Sequence, residues 1–76
     1  MNPKLKKLRI LRKENNLTTS DMAQKLNISQ SMYSYIEIGV KRLSYNIAVQ
    51  IGDIFGMTPD EIFYEDFKQF FDTHDI

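Results

Sequence analysis

Gln30, Ser31, Ser34 and Tyr35 are the residues of this chain whose types and spacing best suit chemistry, and that chemistry is recognition rather than bond making. Their amide, hydroxyl and phenol groups both donate and accept hydrogen bonds. On a helix successive residues lie about 100° apart, so with Gln30 at zero the four fall within an arc of roughly 140°. Met32, Tyr33 and Ile36 fall opposite, between roughly 200° and 300°. The apolar arc is what a core-facing helix needs. The polar arc suits the edges of bases, because the DNA major groove admits a helix and Gln can pair bidentately with adenine. An ordinary solvated face has the same composition, and most exposed polar faces are only that. The neighbouring stretch tips the balance.

Catalysis fits poorly. The chain has one histidine, His74, no cysteine, and no glycine-rich phosphate loop or nucleophile motif. Its acids scatter along the outside of the C-terminal segment, so no metal site and no cofactor is expected.

Two short helices joined by a tight turn must position the polar arc. Thr18 can cap the first of them, Asp21 stands at its third helical position, and Met22, Ala23 and Leu26 make an apolar i, i+1, i+4 cluster. Ala23 is small enough for two helices to cross closely. Asn27 favours the left-handed backbone that ends a helix, and Ile28 leads into Ser29, a second cap. A turn of three or four residues between crossing helices is the helix-turn-helix arrangement.

Leu17, Thr18, Met22, Ala23, Leu26, Ile28, Ser29, Ile36, Glu37 and Gly39 together resemble the Cro and repressor type of helix-turn-helix, the XRE-like family of phage and bacterial regulators. The resemblance covers about residues 5 to 63. It implies an all-α, lambda-repressor-like compact bundle of about five helices, and a cytoplasmic transcriptional regulator, a repressor, that inserts helix 29–37 into the major groove of double-stranded DNA. Gln30, Ser31, Ser34 and Tyr35 are then the base-contacting residues, with Tyr35 equally able to stack on a sugar or touch a thymine methyl. Thr18, Thr19, Lys41, Arg42, Ser44, Tyr45 and Asn46 are the backbone contacts. The family also pairs an arginine at the position of Arg12 with the glutamate that ends the recognition helix, here Glu37. Losing one partner of such a half-buried pair costs ~3–5 kcal/mol, against less than about 1 kcal/mol for two independent surface charges. Three positions depart from the pattern: Thr19 stands where Gln is usual, Asn27 where Gly is commonest, and Leu43 where Pro usually follows the basic loop. The alternative reading is a protein-interaction module that keeps the helix-turn-helix fold without binding DNA.

With 76 residues there is room for one domain and a small core. The absence of cysteine leaves helix packing as the source of stability. No apolar run approaches the ~18 residues of a membrane span, no signal peptide is visible, and no small-molecule pocket can be read. The formal charge is zero, yet it is divided. Up to Arg42 nine basic residues face three acids, a net of +6, and from Leu43 onward Lys68 stands alone against seven acids, a net of −6. A basic half orients a protein in the field of a polyanion.

In chain order, Asn2 and Pro3 read as the cap and first-turn proline of a helix reaching about Asn15, with Leu5, Leu8, Leu11 and Ile10 inward and Lys4, Lys6, Lys7 and Lys13 solvated. Gly39 permits the sharp turn after Glu37. A fourth helix runs from about Tyr45 to Phe55, capped by Ser44, where Gly52 suggests close packing against another helix. Gly56 stops it, and Thr58-Pro59-Asp60-Glu61 is a capping box opening a fifth helix. Residues 1–63 are read as the helix-turn-helix domain and 64–76 as a helical extension for packing or dimerisation. Phe63, Phe67, Phe70 and Phe71 make an apolar stripe with two open destinations, an enlarged core or an exposed partner surface. The second would serve a homodimer, formed through this segment or on DNA, since regulators of this type often read two half-sites.

Overall fold

A computed structural model describes residues 2–74, apart from the side chains of residues 73 and 74. The described chain is five helices: α1 Lys6–Glu14, α2 Thr19–Leu26, α3 Gln30–Glu37, α4 Tyr45–Phe55 and α5 Pro59–His74. The side chain of His74, expected near a frayed end, lies outside the described residues. Leu8, Met22, Tyr33, Ile51 and Ile62, one from each helix, are 0 % exposed and meet in a single core.

Local chemistry sets most of the boundaries. Thr18, Ser29 and Ser44 each accept, through the side-chain oxygen, the backbone N–H three residues on, which satisfies a donor that the first turn leaves free. The same bond runs from the Glu61 N–H to Thr58 Oγ1 at 3.2 Å, and the Thr58 N–H returns to Glu61 Oε1 at 2.8 Å. Asn27 (φ +56°) and Gly56 (φ +65°) take the left-handed conformation that ends α2 and α4. The α4 span predicted from sequence is the one that forms.

The start of the chain is different from the prediction. Asn2 and Pro3 do not open α1, which begins at Lys6 behind Leu5, a residue with no capping side chain. The Leu5 N–H instead donates to the carbonyl of Glu37 at 2.9 Å. Residues 2–5 therefore lie across the end of α3, passing so close to Gly39 that a Cβ there would sit 2.6 Å from the Asn2 carbonyl oxygen. Gly39 is also at φ +85°, so both space and conformation call for glycine. The missing cap of α1 is supplied from α5: Asp66 Oδ2 accepts the Lys7 N–H at 3.1 Å, and Lys7 Nζ donates to the carbonyl of Glu61. Lys7 is thus half-buried between α1 and α5 rather than solvated.

Two further expectations need revision. Ile10 points outward, 56 % exposed, because Leu8 and Arg12 occupy the inward face of α1. Gly52 is buried, but what it packs against is backbone in the α4–α5 turn: a Cβ would lie 2.4 Å from the Met57 carbonyl oxygen. The phenylalanine stripe divides, with Phe63 in the core, Phe67 half-buried against it and Phe71 56 % exposed. The boundary drawn at 63/64 falls inside α5, which runs unbroken across it.

Candidate nucleic-acid interface

The turn between α2 and α3 is short because Asn27 reverses the backbone at once. Its N–H and that of Ile28 bond back to carbonyls of α2, and half-buried Ile28 packs against the core. Ser29 then starts α3, whose two turns are amphipathic. Tyr33, Ile36 and Glu37 are buried, and Gln30 and Ser31 are exposed. Tyr35 is 44 % exposed and Ser34 is half-buried. The polar arc is therefore an outer face.

Two of the named residues meet across the turn. Gln30 Nε2 donates to Thr19 Oγ1 at 3.0 Å, joining the first residue of α3 to the first residue of α2. A primary amide has two N–H donors and one carbonyl acceptor. The bond to Thr19 uses one donor and leaves an N–H and the oxygen of Gln30 available, the pair that adenine requires. Thr18 is committed to capping: its N–H donates to Asp21 Oδ2 and its Oγ1 accepts the Asp21 N–H. The cap holds the Asp21 carboxyl below its ordinary range, chiefly through the bond from the Thr18 backbone.

Beyond α3 the chain turns through Gly39, and the N–H groups of Val40 and Lys41 both donate to the carbonyl of Tyr35, at 2.8 and 3.0 Å. This ties the basic loop to the helix it follows. Lys41 and Arg42 are exposed and form no ion pair among the described residues. Ser44 spends its oxygen on the cap of α4, and Tyr45, 78 % exposed, and Asn46 follow on its first turn.

Behind the face, Arg12 and Glu37 form a two-point ion pair, Nε to Oε2 at 2.9 Å and Nη2 to Oε1 at 3.0 Å. Arg12 Nη1 also donates to the carbonyl of Leu17 at 2.9 Å. Tyr33 Oη donates to Glu37 Oε2 at 2.6 Å, and burial together with this bond pushes the Tyr33 hydroxyl far above its usual range, so it remains a donor. The bond to Glu37 raises the Arg12 guanidinium as well. The network fixes the end of α3 to α1 and to the start of α2. Sequence reasoning missed Tyr33 as a member, although its i, i+4 spacing to Glu37 was a usable signal. It also missed Asp66, for which no local signal exists.

Among the phenylalanines, Phe70 and Phe71 meet edge to face with centroids 5.5 Å apart, and Phe67 and Phe71 lie 6.3 Å apart. Among the described residues no group of three or more metal-ligating side chains converges, and no helix is long and apolar enough to cross a membrane.

Two crossing helices on a left-handed turn, the second with a buried face and a free polar face, define a helix-turn-helix protein. The chain belongs to the helix-turn-helix family, which it matches over residues 8–62. The Cro- and repressor-type pattern between Leu17 and Gly39 lies inside that span. The chain is also similar to a protein of Methanocaldococcus jannaschii named an uncharacterized HTH-type transcriptional regulator. The two are 39 % identical over 61 residues, covering 79 % of this chain and 92 % of that protein. No solved structure matches the chain.

Proposed function

We propose that this protein is a sequence-specific double-stranded DNA-binding regulator of transcription, acting as a repressor, with α3 as the helix that enters the major groove. The observation that carries the reading is the orientation of α3: Gln30 and Ser31 face outward, and Gln30 is braced by Thr19 instead of wandering in solvent. Gln30, Ser31, Ser34 and Tyr35 contact base edges. Thr19, Lys41, Arg42, Tyr45 and Asn46 contact backbone phosphates, which fix register without reading sequence. Thr18 and Ser44 contribute indirectly, since their oxygens hold the helix caps. The basic half, residues 1–42, supplies the attraction. The name of the Methanocaldococcus jannaschii relative supports the regulatory role.

A homodimer completes the reading, its contact formed by the exposed end of the phenylalanine stripe at Phe71 and by Tyr64, each 56 % exposed. Such a regulator acts in the cytoplasm, and nothing in the mechanism requires a cofactor or a reaction.

The test is fluorescence anisotropy on random and native-upstream duplexes across a range of salt concentrations. A logarithmic salt slope of several displaced counterions, with tighter binding to the upstream duplex, supports the reading. Absence of binding at low salt overturns it in favour of a protein-interaction module. Sedimentation equilibrium with and without Phe71→Ser decides the dimer.

A further inference from the structure

The start of α1 and the C-terminal end of α3 enclose a cleft of about 330 Å³ that the DNA-binding reading leaves unused. Lys4, Lys6, Arg9 and Arg12 line it, with Glu37 as its one acid and Ile38 as an apolar wall. Glu37 is already engaged, because Oε2 accepts from Arg12 Nε and Tyr33 Oη and Oε1 accepts from Arg12 Nη2. Asp66, which borders the adjoining depression with Lys4 and Lys6, already accepts the Lys7 N–H. The side chains of Lys4, Lys6 and Arg9 have no hydrogen-bond or ion-pair partner among the described residues. Lys6 and Arg9, three apart on one helix, repel each other. The residues that line the cleft therefore carry a net +3, and Asp66 of the adjoining depression offsets at most one unit of it. Its floor is a buried guanidinium, 10 % exposed in its side chain, that uses three of its N–H groups in the bonds to Glu37 and Leu17. A guanidinium has five.

We propose that this cleft is an anion site for a phosphate group, either that of a free phosphorylated small molecule or a backbone phosphate of DNA lying beyond the segment read by α3. A free phosphomonoester offers close to two units of charge and three acceptor oxygens to these cations, and a DNA phosphodiester offers one unit and two oxygens within a run of further phosphates. Ile38, 52 % exposed, covers the carbon skeleton attached to the phosphate. The occupant draws on Arg12, the same residue that fixes the end of α3, so binding here acts on the placement of the recognition helix.

The experiment is a titration of the ¹⁵N-labelled full chain with pyrophosphate, following amide shifts. Saturable shifts centred on Lys6, Arg9 and Ile38, weakened about tenfold or more in a Lys6→Gln/Arg9→Gln variant whose spectrum otherwise keeps the native dispersion, are the expected result. Both substituted side chains are exposed, so the fold does not depend on them. Shifts no larger here than at Lys25, Lys41 and Arg42, or unaltered by the double substitution, reduce the cleft to general charge screening and overturn the proposal. The source is decided by repeating the titration with a duplex. Displacement of pyrophosphate by the duplex, with Lys6 and Arg9 moving, identifies a DNA phosphate, and pyrophosphate binding that persists beside DNA identifies a free ligand. The titration of the protein alone needs no DNA, so failure of the DNA-binding reading and failure of the cleft are separate results.

Discussion

Arg12 and Glu37, twenty-five residues apart, share two hydrogen bonds of 2.9 and 3.0 Å, and Tyr33 adds a third to the same carboxylate. Arg12 is 8 % and Glu37 7 % exposed, so neither charge has much water to fall back on. Arg12→Met and Glu37→Gln should each cost ~3–5 kcal/mol of folding stability, because each strands its partner. The double variant should cost clearly less than the sum. Urea unfolding of the four proteins measures the cycle, and strictly additive losses would show that the two charges do not interact.

The bond between Gln30 and Thr19 gives a second set of outcomes. Gln30→Ala should relax preference at one base position, with a loss of about 1–3 kcal/mol on the preferred site. Thr19→Val keeps the branched shape but removes the acceptor, so discrimination at that same position should weaken while the melting temperature stays near that of the parent. Arg42→Ala should weaken all duplexes alike and lower the salt slope by about one. Equal weakening on every sequence by Gln30→Ala would remove that residue from the base-reading set, and an unchanged slope would remove Arg42 from the phosphate set.

What could be read from sequence and what could not divide along a physical line. Thr18, Ser29, Ser44 and Thr58 act within three residues of themselves, and Asn27 and Gly56 act on their own backbone, so the four helices they bound were legible. The outer face of α3 followed from angular position alone. The start of α1 was not legible, since Pro3 imitates a first-turn proline while the real cap, Asp66, lies 59 residues away from the amide it satisfies. No local pattern encodes that distance. Ile10 was misplaced because Arg12, which looks polar, takes an inward position that only its pairing with Glu37 permits. The phenylalanine spacing showed a stripe but not where along α5 the core ends, which is fixed by how far α1 and α4 extend beside it.

Gly52 permits a prediction against helix propensity. Alanine in a helix interior is favoured over glycine by about 1 kcal/mol. Here a Cβ would stand 2.4 Å from the Met57 carbonyl oxygen, and the Met57 N–H is itself bonded to the Gly52 carbonyl at 2.9 Å. The neighbour is backbone held at both ends by Gly56 and Pro59, so it cannot swing away as a side chain would. Gly52→Ala should therefore destabilise by about 1–3 kcal/mol. A rise in melting temperature would mean that the α4–α5 turn yields freely.

The two capping boxes make stability depend on pH with a definite sign. Asp21 and Glu61 are both held below their ordinary values, first by accepting the backbone N–H of Thr18 and Thr58 and then by those residues' side chains. A carboxyl with a lowered folded-state pKa binds fewer protons folded than unfolded, so its contribution is complete above the unfolded value and is lost as pH falls through the folded one. Melting temperature should accordingly hold steady near neutrality and decline below about pH 4.5. The contribution of the boxes is isolated by comparison with a variant. Asp21→Asn/Glu61→Gln retains an acceptor at each cap but cannot titrate, and its melting temperature should fall less steeply between about pH 4.5 and 3 than that of the parent. Parallel curves for the two proteins would show that the caps contribute equally in both protonation states.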